Sequence, residues 1–291
     1  MEDKLIIATT EDGAIRIYTA LTTKVVEEAG RIHETWPTAT AAFGRLLTGT
    51  LMMGVMSDNI YRLTVTFAGD GPCGRITAVS NQRGVVKGEL ANPQVDFELN
   101  SAGKLDVAKA VGSGELIVLK DFGLKDPYQG IVPIQSGEIA EDLAYYFAKS
   151  EQTPSVTALG VIINPDGSVK VAGGFIIQMM PGYTEETIGF LEEKLRNIPA
   201  VTQMLSEGIT PEQLAEKLTP DQQTLKILDT VNVYYKCDCS RERFISPLLS
   251  LDPEEIGTIL KEQGRLEVRC HFCNQLYYYE ENELNLNSAS K

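Results

Sequence analysis

The sequence predicts an α+β fold in three parts: a mixed α/β sheet domain over residues 1–180, a helical linker over 181–230 and a small C-terminal module over 231–291. Three observations carry this. Period-two alternation with turn residues between the runs dominates two long stretches before residue 180. A group of short helical segments follows Pro181-Gly182. Four of the five cysteines then fall beyond residue 236, as Cys237-x-Cys239 and Cys270-x-x-Cys273.

The elements follow in order. Residues 4–9 and 14–19 are strand-like runs joined across Glu11-Asp12-Gly13, which reads as a hairpin. Residues 22–34 predict a helix with Val25, Val26, Ala29 and Ile32 on one face. A second helix follows Pro37 to about Met56 and carries Gly44, Gly49 and Gly54, small residues that let a neighbouring backbone approach. From residue 61 to 120 the period turns to two with frequent glycine, the pattern of an antiparallel sheet. Residues 138–149 form a helix with Ile139, Leu143, Tyr146 and Phe147 on its buried stripe and acidic residues in its first turn. Residues 158–163 and 168–172 form a hairpin across Asn164-Pro165-Asp166-Gly167, and residues 175–179, after Gly173-Gly174, a last strand.

Beyond that point three helical stretches are expected, over 184–197, 199–207 and 210–218, the third opened by the capping box Thr210-Pro211-Glu212-Gln213. Isolated helices this short are marginal, since about 12–15 residues are needed even with favourable sequences. They persist only by packing Ile188, Leu191, Leu195, Met204 and Leu214 on something else. Between a plain connector and an element whose packing can be switched, the sequence alone favours the plain connector. Residues 231–235 read as a strand leading to the first cysteine pair. Asp252 and Pro253 start a helix that ends at Gly264. Residues 265–269 lead into the second pair, 276–279 follow it, and the tail beyond Glu283 is polar and expected to fray.

Composition bounds function. With 43% hydrophobic and 23% charged residues the chain is of ordinary globular type. A net charge of −14 argues against a nucleic-acid partner, whose affinity rests on phosphate neutralisation. Residues 46–56, the most apolar stretch, are broken by threonine and glycine and fall short of the ~20 residues of a membrane span. The acidic start Met1-Glu2-Asp3-Lys4 has no signal-peptide core, so a cytoplasmic location is expected. There, paired cysteines mean metal or redox chemistry more often than permanent disulfides.

Cys237, Cys239, Cys270 and Cys273 supply the four thiolates of a closed, tetrahedral structural Zn²⁺ site, one ion per chain. The competing reading is two unrelated cysteine pairs. A saturated four-sulfur shell leaves no position for a reacting water, so Lewis-acid catalysis is not expected. His271 could replace one thiolate. Lys236, Arg241, Arg243 and Arg269 lie beside the cysteines in sequence, and cations favour the thiolate that oxidants attack. Oxidation of either pair would consume ligands and expel the metal, and a module this small has little core to fall back on.

Other motifs carry less. Gly69-x-Gly71-x-x-Gly74 formally matches a dinucleotide fingerprint, but Pro72 and Cys73 lie inside it and a strand pattern, not a helix, follows. Cys73 reads as a small buried hydrophobe. His33 reads as a surface or half-buried residue. No nucleophile–histidine–carboxylate set can be assembled, which weighs against a hydrolase and against an enzyme generally.

The cysteine pattern at the end of a chain of this length resembles the thirty-three-kilodalton heat-shock protein family, the redox-regulated holdase chaperones. The resemblance extends over the rest of the chain, through Tyr128-Gln129-Gly130-Ile131-Val132-Pro133, Gln135-Ser136-Gly137-Glu138-Ile139-Ala140-Glu141-Asp142-Leu143, Ser150-Glu151-Gln152-Thr153-Pro154-Ser155 and the loop Gly71-Pro72-Cys73-Gly74. It implies zinc on Cys237, Cys239, Cys270 and Cys273 in the reduced, inactive protein. It implies disulfides Cys237–Cys239 and Cys270–Cys273 in the oxidised form, zinc release, unfolding of the tail, destabilisation of the linker, ATP-independent binding of unfolding client proteins, and a homodimer when active. A Cys-x-Cys disulfide spans residues near the ~6.8 Å Cα limit, so it should be the more strained of the two. The competing function is a thiol–disulfide oxidoreductase using Cys270-x-x-Cys273, although that pair is not at the start of a helix in a βαβ unit.

Overall fold

A computed structural model describes residues 1–57, 59–101, 103–281 and 283–284. The polar tail beyond Leu284 lies outside the described residues. The chain divides into two compact units, Met1–Lys236 and Cys237–Lys291.

In the first unit the expected hairpin is β1 (Lys4–Thr10) and β2 (Ile15–Leu21), in register with Lys4 opposite Leu21. The helix α1 (Thr23–His33) buries Val25, Val26 and Ala29 as its periodicity predicts. Its last turn departs from expectation: Ile32 is only half-buried and His33 is buried. The imidazole can go inward because its Nε2 lies 3.0 Å from the hydroxyl of Tyr235 and its ring sits edge-on to Phe43. A buried polar group is tolerated when it has such a partner.

Helix α2 (Pro37–Gly54) is buried on nearly every side, as a helix apolar all round must be. Its glycines are points of close approach. A Cβ on Gly44 would lie 2.6 Å from Val26, and one on Gly49 2.6 Å from Leu143. The chain continues through β3 (Arg62–Gly69), β4 (Arg75–Ser80), β5 (Val85–Leu90), the short α3 (Val107–Val111), β6 (Gly114–Asp121), β7 (Tyr128–Pro133), α4 (Ala140–Ser150), β8 (Ser155–Ile163) and β9 (Val169–Met179). The loop after Gly69 is a turn between β3 and β4, consistent with its non-nucleotide reading.

Strand β9 runs unbroken through Gly173-Gly174, where the sequence suggests two strands. The glycines serve packing instead. A Cβ on Gly173 would lie 2.3 Å from the Ala20 carbonyl, and one on Gly174 2.3 Å from that of Ala158. The loop before α4 is held by one buried carboxylate. Asp142 accepts the backbone N–H groups of Gln135 (2.6 Å), Ser136 (2.9 Å) and Ile139 (3.0 Å), while Ile139 sits at φ +71°. A β-branched residue there is strained, and the three charge-assisted bonds offset that strain.

The helices α5 (Glu185–Arg196), α6 (Val201–Ser206) and α7 (Pro211–Leu218) fall within a residue or two of expectation, each with the cap its sequence dictates where one exists. The strand before the cysteines is longer than expected and split: β10 (Leu225–Asn232) pairs with β1, and β11 (Tyr234–Tyr235) pairs in parallel with β5. Nearly every β10 side chain is exposed, so it carries no alternation to read.

Two sheets result, in the orders β10-β1-β2-β9-β8 and β11-β5-β4-β3-β6-β7. Helix α2 lies between them, within a core that includes Leu46, Leu51, Phe67, Tyr146 and Phe147. The outer face of the five-stranded sheet has a second core. There Ile15, Ile17, Phe175 and Ile177 pack against Leu191, Met204, Leu205, Leu214 and Leu218 of α5–α7. The three helices thus cover an apolar sheet face, tied by Thr19 Oγ1 donating to the Pro211 carbonyl (2.8 Å) and by Lys4 pairing with Glu212 (2.6 Å).

The second unit contains α8 (Arg241–Leu249), α9 (Pro253–Gln263) and the hairpin of β12 (Leu266–Arg269) with β13 (Leu276–Tyr279). The sequence pattern assigns no helix to α8, because Pro247 stands inside it. Helix α9 is capped by Asp252, which accepts the Glu254 N–H at 2.9 Å, and it ends on Gly264 at φ +75°. A core of Leu248, Ile256, Leu260, Leu266, Tyr279 and Leu284 is all that the described residues of this unit bury as an apolar cluster.

Candidate metal centre

Cys237 and Cys239 lie in the extended segment before α8, while Cys270 follows β12 and Cys273 sits in the turn leading to β13. That turn is closed by two backbone bonds, Asn274 N–H to the Cys270 carbonyl (2.8 Å) and Cys270 N–H to the Gln275 carbonyl (3.0 Å). Asn274 takes the left-handed conformation the turn needs, at φ +57°. The turn aims both thiols of its limb at the Cys-x-Cys limb. The four Sγ atoms lie within 4.8 Å of one another. Across the limbs, Cys237 and Cys270 are 3.7 Å apart and Cys239 and Cys273 are 3.4 Å apart.

These separations test the fit to a metal. Zinc–sulfur bonds of about 2.3 Å in a tetrahedron set sulfur–sulfur edges of about 3.8 Å. The cluster already has nearly that size, and all four sulfurs are free thiols that could hold a metal ion. His271 is exposed and stands outside the group. Cys73 is fully buried in the first unit, and burial pushes its thiol up to about 11, which fits the inert hydrophobe read from the sequence.

The electrostatics differ from the simple expectation of bare cations beside thiolates. Arg243 pairs with Asp238 and also donates to its carbonyl at 2.8 Å. Arg241 pairs with Glu283 at 2.5 Å and lies 4.5 Å from the centre of the Tyr279 ring. Their charge is therefore largely answered by carboxylates, and they brace the module instead of activating the sulfurs. Without a metal, partial burial pushes the Cys237 thiol up and that of Cys273 up to about 11. For Cys239 burial acts in the same direction, but the hydroxyl of Tyr277 and the neighbouring sulfurs outweigh it, and its thiol falls below the ordinary value.

Tyr277, whose hydroxyl is 3.2 Å from the Cys239 sulfur, is the functional neighbour that sequence reasoning passes over. In the run Tyr277-Tyr278-Tyr279 it reads as one more strand aromatic. Its only signal is its place four residues after Cys273.

The family model described as Hsp33 protein matches residues 3–280. The protein named 33 kDa chaperonin of Geobacillus kaustophilus (strain HTA426) is 50% identical over 285 residues, covering 98% of this chain and 97% of its own. The 33 kDa chaperonin of Staphylococcus aureus (strain JH9) is 47% identical over 285 residues, covering 98% and 97%. The crystal structure of the 33 kDa chaperonin (Hsp33) from Thermotoga maritima matches with a TM-score of 0.90 at 37% identity, covering 99% of this chain and 98% of that one. The likeness therefore spans both compact units, with the sheets and helices as well as the cysteine module. The chain belongs to the Hsp33 family, a family of chaperones and not of enzymes.

Proposed function

We propose that this chain is a redox-activated, ATP-independent holdase: reduced and zinc-bound it is inactive, and oxidised and zinc-free it binds unfolding proteins. The observation that carries the reading is four thiols at tetrahedral spacing in a unit whose described apolar cluster is only six residues. Cys237, Cys239, Cys270 and Cys273 would hold the ion. Bound zinc would keep all four sulfurs as thiolates and supply about 10–16 kcal/mol of apparent binding energy that the small core cannot replace.

An oxidant of the peroxide class takes two electrons from each pair and leaves the disulfides Cys237–Cys239 and Cys270–Cys273. Each bond removes two ligands. A disulfide between residues two or three positions apart does not restrain segments some 30 residues apart, so the unit unfolds once the ligands are gone. Residues 181–230 then act as the linker that responds. Their helices are too short to stand alone and depend on the outer sheet face. Their release would bare Ile15, Ile17, Phe175 and Ile177, an apolar surface suited to unfolded chains. A homodimer as the active form and a cytoplasmic, reducing location belong to the same reading, as does the division at 1–180, 181–230 and 231–291. The oxidoreductase alternative has no observation in its favour, since Cys270 and Cys273 flank a turn between strands and not the N-terminus of a helix.

Zinc analysis of the variants tests the site. One zinc per reduced chain is expected, with retention greatly weakened in Cys270→Ser and unchanged in Cys73→Ser. Full retention in Cys270→Ser would mean that another donor holds the ion.

A further inference from the structure

We infer that Tyr277 is a positioning residue for the four-sulfur centre: its hydroxyl donates to the thiolate of Cys239, holds that sulfur in the cluster and slows its attack on oxidants. The inference rests on the redox reading above and adds a control over how readily the switch fires.

The geometry begins with the hairpin. Tyr277 stands opposite Val268 in the pairing of β12 with β13, so it belongs to the Cys270/Cys273 limb. Its Oη nevertheless lies 3.2 Å from the sulfur of Cys239 on the other limb. The ring packs on Phe244 of α8, with centroids 5.2 Å apart and planes at 48°. Ring packing and strand register therefore fix where the hydroxyl points, and one O–H ties the two limbs together.

The chemistry follows from the sulfur lone pairs, which both bind a metal and attack an oxidant. A donor hydrogen bond draws electron density from the thiolate and lowers its nucleophilicity. It also keeps the ligand oriented, as outer-shell partners of metal ligands do. In the step it restrains, the Cys239 sulfur attacks a peroxide oxygen, the O–O bond breaks, and hydroxide leaves a sulfenic acid. The Cys237 thiolate then attacks that sulfur, the S–S bond forms and a second hydroxide departs. The pair has lost two electrons to the peroxide, and solvent protonates both hydroxides. The Tyr277 bond opposes the first attack, when Cys239 must turn a lone pair outward.

Tyr277→Phe removes the O–H and keeps the ring against Phe244. In the zinc-loaded full chain it is expected to release zinc to hydrogen peroxide several-fold faster and to hold zinc about tenfold more weakly. Cys239 should become selectively more reactive to iodoacetamide when alkylation is mapped by mass spectrometry, with the melting temperature of the zinc form lowered by no more than the weaker metal binding accounts for. Zinc release and Cys239 alkylation within about twofold of wild type would overturn the inference. So would an equal rise at all four cysteines, which marks a merely structural role. Phe244→Leu loosens the ring packing without removing the hydroxyl. Because that packing aims the hydroxyl, a smaller shift of the same Cys239-selective kind is expected. A shift larger than that of Tyr277→Phe would mean that packing and not the O–H is responsible, and the inference would fall. None of these readouts involves a client protein. A wild-type chain that binds and releases zinc but never suppresses aggregation would sink the functional reading and leave the role of Tyr277 standing. Failure of Tyr277→Phe alone would do the reverse.

Discussion

At the scale of single residues, two buried aspartates show how environment decides what a carboxylate does. Asp142 is fully buried yet accepts three backbone N–H groups, and it holds the Ile139 turn in a conformation its side chain disfavours. Asp3 is buried with less support. One of its oxygens accepts the Val25 N–H at 2.8 Å, and the other has no hydrogen-bond partner. Burial pushes its carboxyl up to about 6, against the pull of the Val25 and Lys24 backbone groups. A raised carboxyl means that the folded chain keeps a proton the unfolded chain has already shed. This group's contribution therefore favours folding at low pH, falls as pH rises from about 4 to 6, and is constant above that. The size is about 3 kcal/mol from the shift alone. Asp3→Asn should remove this dependence. The difference in urea-unfolding free energy between variant and wild type is expected to grow in the variant's favour from pH 4 to 6 and then level. A difference that is flat across this window would show that Asp3 is ionised throughout.

At the scale of elements, the sequence is most legible where burial is one-sided. The β1–β2 hairpin, α1, α4, the β8–β9 turn, α7 and α9 all announce themselves through periodicity, caps or turn residues. Elsewhere the signal fails. Strand β10 is exposed along most of its length and shows no alternation, α8 is masked by Pro247, and Gly173-Gly174 looks like a break when it is a close approach. The inward turn of His33 depends on Tyr235, a partner 202 residues away. The gathering of the four cysteines into one cluster, in contrast, is legible from their spacing alone. Tyr277 is not, since its role depends on a register that only the folded hairpin sets.

The docking of α6 on the sheet offers an element-scale test. A Cβ on Gly160 of β8 would lie 2.0 Å from the methyl of Thr202 in α6, so with any larger residue Thr202 must turn away or the helix must shift. Gly160→Val should lift α6 from the sheet while the zinc site stays loaded. Faster amide exchange over α5–α7 is expected, together with measurable suppression of client aggregation in the reduced, zinc-bound state. Faster exchange with no gain in suppression would mean that the surface under these helices is not where clients bind.

For the whole molecule, stability is unevenly shared. The first unit has two sheets, a central buried helix and two apolar cores, whereas the second buries a small cluster beside its four sulfurs. A metal contributing about 10–16 kcal/mol would matter little to the one and would decide the state of the other. On the proposed reading, that asymmetry would let a chemical change at two cysteine pairs act as a switch without threatening the scaffold that would present clients. The most direct test follows one sample of reduced, zinc-loaded protein through oxidation by hydrogen peroxide. Zinc release, thiol loss and suppression of a client's thermal aggregation are read together. The account predicts loss of one zinc per chain, formation of the two disulfides and a rise in suppression that tracks both. Fully oxidised, zinc-free protein that suppresses aggregation no better than the reduced form, even after mild heating, would contradict it.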